Sequence, residues 1–385
     1  MTGRARVLKA FRHEEPDRTP IFERLIKPPT DAVVLGRESA TSFLERLRTW
    51  EAEGWEALME RQAQDMVEMV KRLGFDMIRL GMNAPKTSER PRRIGAYAWR
   101  VGDTIQHYLP ETGVVRSAPV SPERIDEEEQ ERRMIAEVGQ EYIPPDLSED
   151  RFRVFRRAKE MMAEAGMDPA IYVSNYAVGT LLPRFCLEWF YWAPELIHRY
   201  YEKCSRAAID RGRKFVEMGA TVIGLGGDFA GNRGPMISPA HYERFIEPRI
   251  REQADALHRE GVFVTNTSDG NLWPVIGPFL IGTRVDGYGE IDGIAGMDLG
   301  VLKERYGDRI CFLGNLDIKR VLCSGTVEDS KRMMIECIEK GWGNGGHVIM
   351  TSNVVHQDVK PENYLAALDA YWDYFGCSDR VKRET

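Results

Sequence analysis

Short apolar runs alternate with longer amphipathic segments along most of the chain. The apolar runs are continuous instead of alternating in polarity, which is typical of parallel strands covered on both faces. Eight runs predict strands, namely TPIFE (19–23), FDMIRL (75–80), AIYVSN (170–175), TVIGLGG (221–227), VFVTNT (262–267), VDGYGE (285–290), ICFLGN (310–315) and HVIMTS (347–352).

Helical spacing fills most of the intervals between these runs. Ser238 and Pro239 predict an N-cap and a first helical position, and apolar residues then recur at helical spacing until Gly261. The same pattern covers 194–218, 297–306, 326–340 and 361–375. Eight strands joined by helices predict a (β/α)8 TIM barrel, which forms a single domain over residues 1–385.

Residues 82–150 depart from this pattern, because they are rich in Arg, Glu and Pro. They contain a predicted hairpin, YAWRVGDTIQHYLPETGVV, and a charge run, IDEEEQERR. We interpret the segment as an insertion after the second strand that covers part of one barrel end. Its functional alternative is a substrate lid.

Composition excludes several classes of protein. With 43% hydrophobic and 29% charged residues the chain is typical of a globular protein, and a net charge of −7 argues against a nucleic-acid-binding surface. The N-terminus has no apolar segment of the secretory type, and no run is long enough to cross a membrane. Six cysteines without any CxxC pair predict reduced thiols in a cytoplasm instead of a disulfide framework or a zinc finger.

The predicted strands end in polar residues. TIM-barrel enzymes place their chemistry at these ends, which here carry Glu23, Asn175, Asp228, Asp269, Glu290, Asn315 and Asn353. Four of them are acids, and we expect them to converge at one end of the barrel. Repulsion and burial would then leave one carboxyl protonated near neutral pH, so that it serves as a proton donor. The alternative for each residue is a helix cap or a turn.

Two further groups are candidates for the same site. His356 follows the last strand and is an acid, a base, a substrate contact or a solvated loop residue, whereas His347 begins that strand and is predicted to be structural. The cluster EWFYW (188–192) either walls an apolar substrate pocket or packs in the core.

Five stretches occur in the order and spacing of a known superfamily. They are RVLKAFRHEEPDRTPIF, GGDFAGNRGPMISPAHYERFIEPRI, VFVTNTSDGN, GMDLGVLKERYGDRICFLGNLD and GGHVIMTSNVVHQDVKPEN. Together they resemble the uroporphyrinogen decarboxylase superfamily, which includes the corrinoid-linked methyltransferases. The resemblance covers nearly the whole chain and implies a (β/α)8 fold.

Departures from the superfamily's motifs narrow the function. The arginine-rich segment that holds uroporphyrinogen is replaced by ERLIKPP, and the superfamily's histidine near the last strand falls at Asn353, so decarboxylation of uroporphyrinogen is not expected. The thiol-directed methyltransferases bind zinc through a His-x-Cys pair and a later Cys. Those positions hold Thr267, Asp269 and Ser352 or Asn353, so we expect no zinc by this route. An oxygen-ligated metal on Asp228, Asp269 or Glu290 stays an alternative.

The remaining branch resembles the substrate:corrinoid methyltransferases. The resemblance implies demethylation of a small methyl donor, with a methoxylated aromatic as the first choice, and transfer of the methyl to cobalamin carried by a corrinoid partner protein; it also implies a homodimer. An acid among Asp228, Asp269, Glu290 and His356 would protonate the leaving group. The substrate contacts expected are Glu23, Asn175, Trp189, Phe190, Asn266, Tyr288, Asn315 and Asn353.

Two alternatives remain open. A decarboxylase or lyase of a small acid would be favoured if Arg24, Arg184 and Arg233 converged on one pocket. A non-catalytic barrel that binds a ligand is the other.

Overall fold

A parallel sheet of seven strands forms the centre of the protein. The computed structural model describes residues 1–111, 113–120 and 126–376. Strand order in the sheet follows chain order, and every pair is parallel. The strands are β1 (Met77–Leu80), β2 (Ala170–Ser174), β3 (Val222–Gly226), β4 (Phe263–Thr267), β5 (Gly287–Gly289), β6 (Cys311–Leu313) and β7 (His347–Val348).

A short segment at residues 20–22, here called the closing segment, joins the two edges of this sheet. The Phe22 amide donates to the Ile349 carbonyl at 3.0 Å, and the Ile349 amide donates to the Pro20 carbonyl at 2.8 Å. On the other side, the Asp76 amide donates to the Ile21 carbonyl at 2.9 Å. The predicted eight-stranded barrel is therefore confirmed, with the first member reduced to this segment.

Helices surround the barrel and agree with the predicted segments to within a few residues. The predicted N-cap is confirmed, since the Ser238 hydroxyl accepts a hydrogen bond from the His241 amide. The α-helices are α1 (Gly3–Phe11), α2 (Thr30–Leu35), α3 (Phe43–Glu53), α4 (Trp55–Leu73), α5 (Glu127–Gly139), α6 (Arg153–Glu164), α7 (Arg184–Trp192), α8 (Pro194–Glu217), α9 (Pro239–His241), α10 (Glu247–His258), α11 (Leu299–Tyr306), α12 (Val327–Gly341) and α13 (Pro361–Tyr374). Shorter helical turns lie at Glu149–Phe152, Tyr242–Ile246, Trp273–Val275, Pro278–Gly282 and Ile318–Cys323.

Two hydrophobic cores share the strands. The inner core fills the barrel with inward side chains such as Phe22, Tyr172 and Leu313, and α1 closes its lower end with Phe11. The outer core lies between the barrel and the helices. Because successive side chains of a strand point to opposite faces, each residue near a strand end belongs either to the barrel mouth or to the helical layer.

Charged residues at the lower end of the barrel form a closed network. The buried Asp76 carboxylate, just before β1, accepts from Arg6 at 2.5 Å and from Arg18 at 2.7 and 3.0 Å. It also accepts from the Ile21 amide at 2.9 Å. Arg6 binds Asp17 as well, at 2.6 and 2.9 Å. This network ties α1 and the closing segment to β1.

The segment after β1 contains the predicted hairpin within a larger antiparallel sheet. Its strands are Arg92–Gly95, Ala98–Val101, Thr104–Leu109 and Val114–Pro119, and the charge run continues into α5. Thr112 of the hairpin and Ile125 of the charge run lie outside the described residues. The insertion is therefore folded, and it begins with a sheet of its own.

The remaining global predictions concern cysteines and membranes. Cys186, Cys204, Cys311, Cys323 and Cys337 are free thiols, and Cys377 lies outside the described residues. In the ranges that the structure describes, every helix is too short or too polar to span a bilayer.

Candidate active site

A cleft of about 830 Å³ opens beside the carboxyl ends of the closing segment, β1 and β2. Helices α3 and α4 form one wall, and the inserted sheet reaches it with Val101 and Gln106. The lining is mixed, and its apolar part includes aromatic and aliphatic side chains such as Trp50, Met59 and Phe215. Four arginines also line it, namely Arg24, Arg46, Arg79 and Arg211.

Three of these arginines have no carboxylate within ion-pair distance among the described residues. The Nε of Arg79 donates to Ser174 at 3.2 Å, and the Nε of Arg211 donates to Asn175 at 3.0 Å. Arg46 stacks its guanidinium over the Phe43 ring, 4.8 Å from the centroid. Burial lowers the pKa of all three, yet a guanidinium stays charged at neutral pH. The cleft therefore carries positive charge that is not held in direct ion pairs within the described residues, although Asp210 attracts Arg211 at longer range.

Arg24 crosses the barrel mouth. It follows the closing segment, donates to the Tyr176 hydroxyl beyond β2 at 2.5 Å, and forms a buried ion pair with Glu290 beyond β5. The Nε of Arg24 is buried without an acceptor in the described part of the chain. Strand alternation would turn Glu290 toward the helices, but its φ of +67° breaks the alternation and brings the carboxylate to the mouth.

Tyr176 stands beside this ion pair. Burial raises the pKa of its hydroxyl, but the Arg24 guanidinium and the neighbouring hydroxyls of Tyr172, Ser174 and Thr267 outweigh this effect, so the pKa falls below its ordinary value. Tyr176 and Arg24 also line the cleft, so the basic cleft and the barrel mouth are continuous at these two residues.

Glu23 is buried at the edge of the cleft and tends to hold a proton. Burial raises the pKa of its carboxyl to about 7, against hydrogen bonds from Thr351 and the charge of Arg24. The Thr351 hydroxyl contacts both Glu23, at 2.5 Å, and the Asn353 carbonyl. That hydroxyl has one hydrogen, so when it donates to Asn353 the proton between Thr351 and Glu23 must come from Glu23. The hydrogen-bond geometry and the raised pKa therefore both favour the protonated form of Glu23.

Asp269 is a second carboxyl near the barrel mouth whose pKa is raised. Burial is the largest cause, and the negative charges of Asp228 and Asp292 add to it, while a 3.2 Å hydrogen bond from the Asn353 side chain opposes it. The cluster of Asp228, Asp269 and Asp292 follows β3, β4 and β5. A carboxyl whose pKa is raised by burial and by like charges is suited to general-acid work.

The four predicted acids therefore do not form one group. Asp228 and Asp269 lie together and gain Asp292 as a third member, Glu290 pairs with Arg24, and Glu23 binds Thr351. Two of them are still connected, because Glu23 contacts Thr351, Thr351 contacts the Asn353 carbonyl, and the Asn353 side chain reaches Asp269.

His356 lies in a different environment from these acids. Its Nε2 is 3.9 Å from the Cys323 thiol, and its Nδ1 accepts from the Asp358 amide at 3.3 Å and lies 3.5 Å from the Asp358 carboxylate. The structure thus places the imidazole in the loop after β7, against the turn Ile318–Cys323.

Strand alternation moves three predicted substrate contacts into the helical layer. Asn266 is fully buried and donates to the Phe279 carbonyl at 3.1 Å, and Tyr288 packs edge-on against Phe279 and Phe312. Asn175 donates to the Ala208 carbonyl of α8 at 2.7 Å. The expectation that these side chains orient a substrate is corrected for Asn266 and Tyr288, which pack behind the barrel. Asn175 lines the cleft while it holds α8 and Arg211, and its role as a substrate contact stays a prediction.

The aromatic cluster of α7 belongs to the core. Trp189 is fully buried and donates to Glu131 of α5 at 2.7 Å. Phe190 is 2% exposed and packs against Tyr201 and Phe245. Helix packing therefore removes both rings from any substrate pocket, and this corrects their predicted role.

Asn315 is half-buried at the end of β6, where its backbone amide donates to the Cys337 thiol at 3.3 Å. Its role as a substrate contact stays a prediction.

The arginines expected for an acid-binding pocket do not converge. Arg184 is exposed on α7 and pairs with Glu188, and Arg233 is exposed on the short hairpin at 230–235. The cleft uses other arginines that sequence reasoning missed. The sequence could have indicated Arg79, because it is a charged residue inside the apolar run FDMIRL. Arg46 and Arg211 lie on helices, at a distance along the chain from any strand end, so the sequence pattern does not indicate them.

The donor set at the superfamily's zinc positions does not fit a thiolate site. Thr267 is buried with its hydroxyl unpartnered in the described residues, and Asp269 is bonded to Asn353. Neither imidazole nor thiol is present at these positions, and oxygen ligands suit harder cations. In the described ranges, these positions included, no three His, Cys, Asp or Glu side chains are grouped to hold a metal ion.

Comparison with known proteins identifies the family to which the chain belongs. A model of uroporphyrinogen decarboxylase (URO-D) matches residues 154–374. The uroporphyrinogen decarboxylase of Alkalilimnicola ehrlichii is 30% identical over 192 residues, which are 49% of this chain and 49% of that protein. The enzyme of Trichodesmium erythraeum is 28% identical over 177 residues, or 44% and 45%. The chain thus spans about half the length of the curated relatives it matches.

A solved structure shares the fold over a greater length. It is a methyltransferase from Methanosarcina mazei, with a TM-score of 0.66, 17% identity, and coverage of 97% of this chain and 99% of that one. At this identity the likeness concerns the fold. The family model covers more than half of the 385 residues, and so the chain belongs to the uroporphyrinogen decarboxylase family.

Proposed function

We propose that this protein is a corrinoid-dependent methyltransferase that demethylates a small methylated compound, with a methoxylated aromatic as the first choice. The observation that supports it most is the raised pKa of Asp269 beside Asp228 and Asp292. An alkoxide or phenoxide is a poor leaving group near pH 7, and a carboxyl with a raised pKa would donate a proton to it as the carbon–oxygen bond breaks. The protonation step therefore has a natural donor.

The other residues of the mouth would position the donor. The cleft would hold the body of the substrate against its apolar lining, and Arg24 and Tyr176 lie where the cleft meets the mouth. The contacts from Glu23 through Thr351 to the Asn353 carbonyl would hold the Asn353 side chain against Asp269 and so orient that carboxyl. The corrinoid of a partner protein would supply the nucleophile that takes the methyl group.

An optical assay tests this proposal. Cobalamin, or a cognate corrinoid protein, is reduced to Co(I) and mixed with the enzyme and a panel of methoxylated aromatics and methylamines. Enzyme-dependent conversion to the methylated spectrum with one donor would support the reaction class. An unchanged spectrum over a broad panel, with the cognate corrinoid protein present, would contradict it.

A second candidate is decarboxylation of a hydrophobic acid. The arginines of the cleft favour it, because they suit a carboxylate ligand, and the curated relatives are named as decarboxylases. Release of carbon dioxide from an acid that yields no methylated corrinoid would distinguish this candidate from the first.

A further inference from the structure

Helix α4 turns one face, here called the methionine face, toward the cleft. It consists of Met59, Met66 and Met69, which line the cavity together with Gln62. Spacings of three, four and seven residues place these side chains on one side of an α-helix. Met82, just beyond β1, adds a further thioether to the lining. A flexible, polarisable thioether packs favourably against an aromatic ring, so this face suits a ring better than a saturated group.

An indole N–H group from α3 lines the same cleft. Trp50 is 6% exposed, and its Nε1 has no hydrogen-bond acceptor in the part of the chain that the structure describes. Trp99 and Trp189 are fully buried, and they donate to Glu51 at 3.0 Å and to Glu131 at 2.7 Å. Because a buried indole usually finds an acceptor, the position of Trp50 in the cleft indicates that a ligand supplies one.

Trp50 and the methionine face are close enough to contact one small ligand. Met59 comes nine positions after Trp50, and α3 and α4 meet at Gly54. Since most of this stretch is helical, the Cα atoms of Trp50 and Met59 lie within about 16 Å of each other. Side chains that line a cavity of about 830 Å³ from positions this close can contact two ends of one substituted ring.

We propose that Trp50 and the methionine face form a ring subsite, in which the methionines hold an aromatic ring and the Trp50 indole donates to an oxygen substituent of that ring. The subsite itself rests on the lining of the cleft. That the bound ring is the methyl donor rests on the proposed function. The donor would then carry a second oxygen substituent besides the methoxy group that reaches the barrel mouth.

Titration of the full chain with three neutral probes tests the subsite without turnover. Methoxybenzene has both the ring and the oxygen, ethylbenzene lacks the oxygen, and methoxycyclohexane lacks the aromatic ring. Binding is followed by NMR of isotope-labelled indole groups, in which the resonance missing from Trp50→Phe identifies Trp50. That resonance should move downfield with both ethers and not with ethylbenzene, because the indole N–H needs an acceptor. Absence of methoxybenzene binding up to its solubility limit would overturn the proposal.

Variants separate the two contacts. Trp50→Phe keeps a ring and removes the N–H, so it should weaken binding of both ethers about three- to tenfold more than binding of ethylbenzene. Met66→Leu combined with Met69→Leu keeps the apolar volume. It should weaken binding of methoxybenzene and ethylbenzene about two- to tenfold and leave binding of methoxycyclohexane unchanged. Equal losses for all three probes in either variant would mean a general disturbance of the cleft and would contradict the proposal.

Two control variants lie away from the cleft. Trp273→Phe removes an indole N–H that donates to the Gly296 carbonyl at 2.9 Å, and Met161→Leu removes a thioether that packs against the outer core from α6. Both should bind the three probes as the natural chain does. A comparable loss of affinity in either control would contradict the assignment of the effects to the subsite.

The two proposals fail separately. The expected pattern of binding, without methyl transfer from any ring that carries two oxygen substituents, would leave the subsite standing and remove the methyltransferase. Methyl transfer that is unchanged by Trp50→Phe and by the two methionine substitutions would leave the methyltransferase standing and remove the subsite.

Discussion

The two ends of the barrel differ in whether their charged side chains have partners of opposite charge. At the lower end, Arg6 and Arg18 share the Asp76 carboxylate, and each of its oxygens accepts hydrogen bonds at 2.5–3.0 Å. At the upper end, Arg79 and Arg211 have no carboxylate within ion-pair distance among the described residues, and Asp269 lies among like charges.

This difference distinguishes charged residues that stabilise the fold from charged residues that serve the function. A buried charge with satisfied partners holds elements together, whereas a charge without partners is tolerated where a ligand or a reaction completes it. In TIM barrels the active site lies at the carboxyl ends of the strands, whereas residues at the opposite end mainly stabilise the fold. The following substitutions test this division.

Asp76→Asn should have the largest effect on stability. It leaves Arg6 and Arg18 buried without their shared carboxylate, so the free energy of unfolding should fall by about 3–5 kcal/mol. Denaturant unfolding followed by circular dichroism measures the loss. The control Asp17→Asn should cost about 1 kcal/mol or less, because the Asp17 side chain is 43% exposed. Equal losses in the two variants would show that the lower network does not depend on its buried carboxylate.

Asp269→Asn should have the largest effect on turnover. The variant loses the acid that protonates the leaving group, so kcat should fall about 10²- to 10⁴-fold. Stability should stay constant or rise, because one member of the like-charged cluster with Asp228 and Asp292 is removed. Stopped-flow measurement of corrinoid methylation, together with thermal unfolding, separates the two effects. A loss of stability with unchanged kcat would place Asp269 among structural residues.

The pair Arg18→Met and Arg46→Met compares the two ends directly. Arg18→Met removes one of two guanidinium partners of Asp76, and we expect a cost of about 3 kcal/mol. Arg46→Met removes a charge that has no ion-pair partner in the described residues, so the change should be within about 1 kcal/mol and of either sign. Comparable losses in both would break the distinction between the two ends.

The pH dependence conferred by Glu23 should be the smallest effect. Its pKa of about 7 in the folded chain exceeds the ordinary value of 4.5, so the folded state binds the proton more tightly than the unfolded state. The stabilisation is full below pH 4.5 and is lost as pH rises toward 7. The stability of Glu23→Gln relative to the natural chain should rise by about 2 kcal/mol over this interval, as measured by unfolding at a series of pH values. A constant difference would mean that the carboxyl titrates normally.

The sequence predicted the barrel well and the site in part. Continuous apolar runs and helical spacing located the strands and the helices, because burial on two faces leaves a direct record in residue type. Asp228, Asp269 and Asn353 were predicted at strand ends, and the structure brings Asp269 together with both. Asp292 was missed because it lies two residues beyond Glu290, in the loop that follows the strand.

The sequence by itself determined which residues end the strands, but only the tertiary structure decided which way they face. Asn266 and Asp269 are three residues apart, and alternation sends one into the helical layer and leaves the other at the mouth. The lining of the cleft depends still more on tertiary structure. Arg79 and Arg211 are far apart in the chain, and they line one cleft because α8 packs behind the end of β2. Local pattern records burial, whereas the convergence of distant charges depends on the register and closure of the whole barrel.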